Sequence, residues 1–167
     1  MLGSCLGAEP AESAEEYAHL LDIVQQMAEI PPAIINAVVR IFFSRFAEER
    51  HPALVETFRF DLMTLAPEQV ASIVTLGEAM VQRDSLLARL GEIRCPTLIL
   101  AGEHDMARPV AESEAMHAQL PGSQFAVIEK AGHMMNLEQP DHVNQRLLRF
   151  LFEVDGLDLS VDDLVFI

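Results

Sequence analysis

Two side chains that could act together in acid–base catalysis each follow a short apolar run. Asp105 comes soon after the run 97–101, which a proline precedes and a glycine follows, and His133 comes soon after residues 124–129. Apolar runs of this length between helix-breaking residues predict strands that are buried on both faces. A buried carboxylate bonded to one ring nitrogen of a histidine fixes the tautomer of the ring and stabilises its cation. Asp105 and His133 are therefore the candidate catalytic residues.

The segment between the two runs determines how the strands are oriented. Residues 110–120 predict a helix, which Pro121 and Gly122 end. A helical connection of this length joins parallel strands. Asp105 and His133 then leave neighbouring strands at the same carboxyl edge, which is where open α/β sheets place their sites. The predicted fold class is therefore α/β.

The sequence around these residues resembles a known family. Residues 95–105 read Cys-Pro-Thr-Leu-Ile-Leu-Ala-Gly-Glu-His-Asp, with Ala-Gly-His at 131–133 and Asn-Leu-Glu-Gln-Pro at 136–140. These motifs resemble the last third of an α/β-hydrolase, and most closely the esterase and 3-oxoadipate enol-lactonase branch. The resemblance covers the chain up to about residue 153.

The resemblance implies a partial α/β-hydrolase fold, in which a helical cap precedes the last two parallel strands and their helices. In this family the acid follows the penultimate strand and the histidine follows the last one, which are the positions of Asp105 and His133. The resemblance thus implies that they are the acid and the histidine of a Ser-His-Asp triad. The implied reaction is hydrolysis of a carboxylic ester or lactone, without a cofactor.

The apolar pattern divides the chain into four parts. Residues 1–10 predict a post-strand loop, 11–84 a helical cap of four short helices, 85–153 the C-terminal portion of the hydrolase core, and 154–167 an acidic tail. In the terminal helix of the core, Asp141 is the predicted N-cap. The buried side of that helix is predicted to carry the following apolar residues: Val143, Leu147, Leu148, Leu151 and Phe152.

Cys5 is an alternative nucleophile. It occupies the middle of the pattern Gly-x-nucleophile-x-Gly at residues 3–7, and it precedes Asp105 and His133 in the chain order that this fold uses. A nucleophile elbow, however, needs a strand before it and a helix directly after it. Only two residues precede the pattern, and Pro10 follows it closely. The post-strand loop is therefore the favoured interpretation of this segment.

The usual attacking residues of the family are missing from the sequence. Neither Gly-x-Ser-x-Gly nor a His-Gly oxyanion motif occurs in the 167 residues. The chain is therefore predicted to lack the half of the hydrolase that carries the nucleophile, and to be inactive alone.

Composition excludes several classes of protein. The apolar fraction is 50%, so the chain is expected to fold. A formal net charge of −15 repels phosphate backbones, so no nucleic-acid partner is predicted. No stretch is apolar enough for a membrane span, and the start has no signal-peptide pattern. Cys5 and Cys95 form no disulfide framework, which suits a cytoplasmic location.

No cofactor or metal ion is predicted. Residues 103–105, Glu-His-Asp, have side chains that can bind metals, but adjacent residues point in different directions and no zinc-type spacing occurs. A Gly-rich phosphate-binding loop is also missing from the sequence, so nucleotide binding is not supported.

Two functions stay open. In the first, the chain is part of a hydrolase whose partner is a small-molecule ester or lactone, and a further segment supplies the nucleophile. In the second, it is a non-catalytic truncated relative that acts as a binding or interaction protein. The fold alone does not separate esterases, enol-lactonases, dehalogenases and carbon–carbon hydrolases, because one fold hosts them all.

The predicted sheet is small, and this has a consequence for stability. Parallel strands need helices on both faces and neighbours at both edges. Residues 98–100, Phe125 and Val127 are therefore expected to have incomplete cover. We expect marginal stability of the chain alone, or burial of the exposed sheet edge by self-association or by a complementing chain.

Overall fold

The computed structural model describes residues 1–156, and within them a group of helices precedes the first strand. These helices are α1 (Ala11–Met27), α2 (Pro32–Phe42), α3 (Ala47–Arg50), α4 (Pro52–Met63) and α5 (Pro67–Val81). A 3-10 helix follows at Leu87–Glu92. The remaining elements are β1 (Leu98–Gly102), α6 (Val110–Gln119), β2 (Gln124–Ile128), α7 (Met135–Glu138) and α8 (Pro140–Val154). The order agrees with what the resemblance implies, a group of cap helices followed by two strands and their helices.

Proline sets the start of several helices. It is the first residue of α2, α4, α5 and α8, where its fixed φ suits the helix and its missing N–H is not needed. The predicted N-cap of α8 was wrong for this reason. Gln139 is the N-cap because Pro140 is already helical, and Asp141 lies in the first turn, where its carboxylate interacts favourably with the helix dipole.

The helices that precede β1 pack in pairs. Helix α1 lies along α5, and the approach is close, since a Cβ on Gly77 would lie 2.7 Å from Leu21. Helix α2 packs on α4 around a buried cluster: Val39, Phe43, Ala47 and Val55. Ala47 belongs to α3, a short helix that the prediction of four cap helices did not include.

Strands β1 and β2 form a parallel pair in the register Leu98↔Gln124 to Gly102↔Ile128. On the other side of β1, Leu2 forms a parallel bridge with Leu100. The bond from Leu100 N–H to the carbonyl of Met1 is 2.8 Å long, and that from Gly3 N–H to the carbonyl of Leu100 is 3.0 Å long. The loop predicted for residues 1–10 therefore differs at its start, because its first residues pair with the sheet.

Strand β1 is the centre of the core. All five of its residues are buried. One face packs on α7 and α8 through Leu98 and Leu100, and the other packs on α6 and the 3-10 helix through Ile99. The expected incomplete cover was therefore wrong for β1, because neighbours lie on both sides of it. In β2, Phe125 and Val127 are only half-buried.

The terminal helix is less buried than its sequence suggests. Val143 is buried in α8, but Leu148 and Leu151 are exposed, which corrects the predicted buried side of this helix. Within residues 1–156 no helix has the length and apolar character needed to cross a membrane. The predicted acidic tail lies outside the described residues from position 157 onwards.

Candidate active site

The carboxyl ends of β1 and β2 bring Asp105 and His133 together. Asp105 follows β1 in a turn that Asp105 N–H closes on the carbonyl of Gly102 at 3.2 Å. His133 follows β2 after a turn in which Lys130 has a positive φ of 57°. The distance from His133 Nδ1 to Asp105 Oδ2 is 2.9 Å. The geometry predicted from parallel strands is therefore present in the structure.

The carboxylate of Asp105 is enclosed, and each of its two oxygens has a hydrogen-bond partner. Its side chain is 0% exposed. Oδ2 bonds His133, and Oδ1 accepts a hydrogen bond of 2.7 Å from the backbone N–H of Arg108. Because both oxygens are held, the carboxylate has a fixed orientation towards the imidazole ring.

His133 is held on one side and open on the other. Since an ionised carboxylate can only accept, the bond to Asp105 places a proton on Nδ1 of His133. The ring packs against Phe42 of α2, with the centroids 5.1 Å apart. The side chain is 27% exposed, and Nε2 has no hydrogen-bond partner in residues 1–156. In this tautomer Nε2 carries the lone pair, so it is the atom that could accept a proton.

Cys5 lies elsewhere. Its Sγ accepts a hydrogen bond of 3.1 Å from Gly7 N–H, and it makes none with His133. Burial raises the pKa of the Cys5 thiol, and the nearby carboxylate of Glu112 raises it further. Among residues 1–156 the non-glycine residues with positive φ are Ala28 and Lys130, so Cys5 does not have the strained left-handed backbone of a tight elbow.

The strand and helix that an elbow requires are not arranged around Cys5. Before Cys5, Leu2 forms a single bridge with β1, and the next helix starts at Ala11. These observations favour the loop interpretation of this segment. They oppose a nucleophilic role for Cys5, because a nucleophile needs a lowered pKa or an adjacent base.

An ion-pair cluster behind Asp105 was not found from the sequence. The carboxylate of Glu9, 3% exposed, lies 2.5 Å from the guanidinium of Arg108, whose backbone also holds Asp105. Burial is the largest single effect on the pKa of Arg108 and lowers it, but the hydrogen bond and charge of Glu9, together with the charge of Glu112, raise it by more, so the net direction is upward. The guanidinium of Arg83 lies 3.8 Å from the carboxylate of Glu9, and it donates a hydrogen bond of 2.9 Å to the carbonyl of Gly7. The cluster thus joins both ends of the cap to the Asp105 loop.

A second buried carboxylate, Glu138 of α7, was also missed. Only 1% of the residue is exposed. It accepts backbone hydrogen bonds from Gly132 at 2.8 Å and from Ser44 at 3.1 Å. The one signal for it is the position of Glu138 in the motif that carries the family resemblance, but its partner Ser44 is 94 residues away.

A cavity of about 640 Å³ lies between α2 and the loop after β1. Its lining includes Arg40, Arg59, Glu103 and Asp105, but His133 is not part of it. The cavity therefore lies beside the loop that carries the acid, whose side chain is itself enclosed, and it does not include the base. By itself it does not form a substrate pocket for chemistry at His133.

No group of three side chains able to bind a metal ion lies together in the part of the chain that ends at residue 156. His104, the residue before Asp105, lies 3.9 Å from the carboxylate of Glu103, and its ring meets Phe46 edge-on. Its surroundings are those of a packed side chain.

The sequence model of the alpha/beta hydrolase family matches residues 5–146. The chain belongs to the α/β-hydrolase family. A carboxylesterase of Bacillus subtilis, YbfK, is 41% identical over 63 residues, which are 37% of this chain and 21% of that protein. The thermophilic esterase of Thermogutta terrifontis is a structural relative with 29% identity and a TM-score of 0.79, over 92% of this chain and 54% of the esterase.

The enol-lactonase of Burkholderia xenovorans has the same fold, with a TM-score of 0.74 at 21% identity. The match covers 90% of this chain and 54% of the enol-lactonase. The chain therefore spans about half the length of the solved relatives and a smaller share of the curated carboxylesterase. The hydrolase architecture predicted from the sequence is confirmed, and it corresponds to part of the family's fold.

Proposed function

We propose that this chain supplies the acid and the base of an enzyme that hydrolyses carboxylic esters or lactones. The observation that carries the proposal is the 2.9 Å bond between His133 Nδ1 and the enclosed carboxylate of Asp105, at the carboxyl edge of a hydrolase-type sheet. The names of two relatives, a carboxylesterase and an esterase, favour an ester bond. A lactone is a cyclic ester, so the same chemistry serves both substrates.

In the proposed mechanism, Nε2 of His133 takes the proton of a nucleophilic hydroxyl as that oxygen attacks the substrate carbonyl. Asp105 stabilises the resulting imidazolium and keeps it oriented. The imidazolium then gives its proton to the leaving alcohol as the ester bond breaks, and a water molecule repeats both transfers to release the acid. The nucleophile would come from protein outside residues 1–156, so the chain is proposed to be inactive alone.

One observation favours a second candidate, a binding protein without catalytic activity. Nε2 of His133 meets no hydroxyl or thiol among residues 1–156. A base without a nucleophile does not catalyse acyl transfer by this route. In that case the cap and the sheet edge would serve interaction rather than catalysis.

Hydrolysis of a short-chain p-nitrophenyl ester tests the proposal. The full chain is assayed alone, and after co-expression with the portion of the Thermogutta terrifontis esterase that it does not match. We compare His133→Ala with His142→Ala, a control in which the histidine is exposed and lies on α8, and with Cys5→Ala. We expect hydrolysis only in the complemented sample, with loss in His133→Ala and no change in His142→Ala or Cys5→Ala.

Two results would overturn the proposal. Hydrolysis that persists in His133→Ala would show that another group is the base. A complemented assembly that forms but does not turn over the ester would favour the binding protein. Activity of the chain alone that disappears in both Cys5→Ala and His133→Ala would instead restore Cys5 as the nucleophile.

A further inference from the structure

We propose that Glu138 is a positioning residue, which holds the His133 loop and the cap in one fixed arrangement. The inference rests on the proposed function, because it takes His133 as the catalytic base. Glu138 lies on α7 and acts through the backbone of Gly132, so it is not itself a catalytic residue.

The carboxylate of Glu138 joins two segments that are distant in the sequence. Oε1 accepts the N–H of Gly132, the residue before His133, at 2.8 Å. Both oxygens accept the N–H of Ser44, at 3.2 and 3.1 Å. Ser44 follows α2 in the cap. Hydrogen bonds to an ionised acceptor are stronger than neutral ones, and a buried carboxylate without partners is costly. The carboxylate therefore keeps the N–H groups of Gly132 and Ser44 in fixed positions.

The same two segments touch through their backbones. A Cβ on Gly132 would lie 2.6 Å from the carbonyl carbon of Phe43 and 2.6 Å from the nitrogen of Ser44. Met134 N–H donates to the carbonyl of Phe42 at 3.0 Å. No side chain separates the cap segment 42–44 from the loop that carries His133. A shift of one segment therefore requires a shift of the other.

On its other side the His133 loop rests on the acid loop. His104 N–H donates to the carbonyl of Ala131 at 2.8 Å, and Glu103 N–H donates to the carbonyl of Ile128 at 3.0 Å. A Cβ on Gly102 would clash with the backbone at Ala131 and Gly132. The acid loop, the His133 loop and the cap segment are therefore stacked backbone to backbone. The His133 loop is the middle one of these three segments. Glu138 accepts a hydrogen bond from Gly132 in this loop, the residue next to the base.

This arrangement has a functional consequence. The ring of His133 packs on Phe42, and the backbone of Phe42 is tied to the same loop. The position of the cap thus sets the position of the imidazole relative to Asp105. Loss of the Glu138 carboxylate would free Gly132 and Ser44 together, and the His133–Asp105 bond would lengthen or break for part of the time.

The test compares Glu138→Gln with Glu129→Gln in the full chain. Glu129 is an exposed glutamate in the turn after β2, so it controls for loss of one negative charge close to His133. The first readout is the far-downfield proton resonance of a histidine Nδ1–H bonded to a carboxylate. We expect this resonance in the unchanged chain and in Glu129→Gln, and its loss or broadening in Glu138→Gln.

The second readout is amide hydrogen exchange. The amides of Gly132 and Ser44 should exchange roughly tenfold or more faster in Glu138→Gln, because a neutral amide oxygen replaces the charged acceptor and a donor NH2 group replaces the second oxygen. Amides in β1, whose bonds do not involve Glu138, report whether the variant is folded. Unchanged exchange at Gly132 and Ser44 with an unchanged Nδ1–H resonance would overturn the proposal.

A further measurement keeps the proposal testable if Glu138→Gln does not fold. In the unchanged chain, the amides of Gly132 and Ser44 must be protected from exchange to about the same degree. Rapid exchange of either one would show that the carboxylate does not hold that segment, and the proposal would be wrong.

The experiments on Glu138 can succeed or fail independently of the test of the proposed function. The resonance and the exchange rates need no turnover, so they decide the role of Glu138 even if no ester is hydrolysed. Where the complemented enzyme is active, misplacement of His133 should lower kcat by about 10²-fold in Glu138→Gln, with a much smaller change in KM. A large change in KM with kcat retained would contradict positioning of the base.

Discussion

Gly3 lies directly against the ring of His133. A Cβ on Gly3 would be 2.9 Å from His133 Nδ1 and 3.3 Å from Asp105 Oδ2. The φ of Gly3 is 52°, in the left-handed region that favours glycine. Two independent reasons, space and backbone conformation, thus require glycine where the start of the chain closes over the acid–base pair.

Gly3→Ala is therefore expected to disturb the pair as well as the backbone. The matched control is Gly122→Ala, since Gly122 also has a positive φ, 84°, but has open space around its Cβ position. Each variant should lose about 1 kcal/mol from left-handed strain. Only Gly3→Ala should also lose the far-downfield Nδ1–H resonance of His133, because the added methyl displaces the ring.

Urea unfolding and proton NMR measure the two effects. If Gly3→Ala is no less stable than Gly122→Ala and keeps the resonance, the contact between Gly3 and the pair is not as close as the structure shows.

The buried ion pair of Glu9 and Arg108 should matter for stability. Their side chains are 3% and 8% exposed, so Glu9→Gln removes the nearer carboxylate from the buried guanidinium of Arg108 and leaves Glu112, at 3.7 Å, as its charged partner. Breaking a buried pair completely costs about 3–5 kcal/mol, and the remaining contact with Glu112 should keep the loss below that. The backbone N–H of Arg108 also holds Asp105, so we expect the His133–Asp105 bond to weaken in the same variant.

Denaturant unfolding of Glu9→Gln beside Glu16→Gln, in which the glutamate is exposed on α1, checks this expectation. The control should change the free energy of unfolding by less than about 0.5 kcal/mol. Equal stability of the two variants would mean that the ion pair contributes nothing measurable.

Cys5 should be a slow nucleophile. Because burial and the nearby Glu112 carboxylate raise the pKa of its thiol, a smaller fraction of Cys5 is thiolate at any pH below that pKa than for an ordinary cysteine. Cys95 is exposed. At pH 8 iodoacetamide should modify Cys95 faster than Cys5, and the rate at Cys5 should still rise as the pH increases.

Peptide mass spectrometry measures both rates in one sample, and the single-cysteine variants Cys5→Ser and Cys95→Ser confirm the assignment. Faster modification of Cys5 at neutral pH would contradict the raised pKa and would favour a reactive role for this residue.

The strand ends that carry Asp105 and His133 could be predicted because the relevant signals are local. Each strand is a short apolar run with clear breaks, and the helix between them fixes the parallel arrangement. Glu9 and Glu138 could not be predicted in the same way. A glutamate in a loop or a short helix is normally exposed, and only a partner about 95 residues away makes its burial favourable.

The pairing of residues 1–3 with β1 could not be predicted for the same reason, because the partner lies far along the chain. A stretch of two or three residues shows no strand pattern, and the bridge at Leu2, made by the bonds of Met1 and Gly3 with Leu100, exists only once β1 is in place. Helix α3 is a single turn, which is too short for an apolar period to show.

The sheet should promote self-association of the chain. Two edges of the sheet are open within residues 1–156. No strand pairs with the side of β2 that faces away from β1, and none pairs with the side of the Leu2 segment that faces away from β1. Leu2 is 39% exposed beside that edge. Open edges with apolar side chains pair with other chains, and a charged side chain on the edge prevents this pairing.

We expect sedimentation velocity to show a concentration-dependent dimer, which Leu2→Lys shifts towards monomer. Leu151→Lys, at an exposed leucine of α8, should leave the dimer unchanged. A monomer at all concentrations that unfolds cooperatively would show that the edge needs no partner.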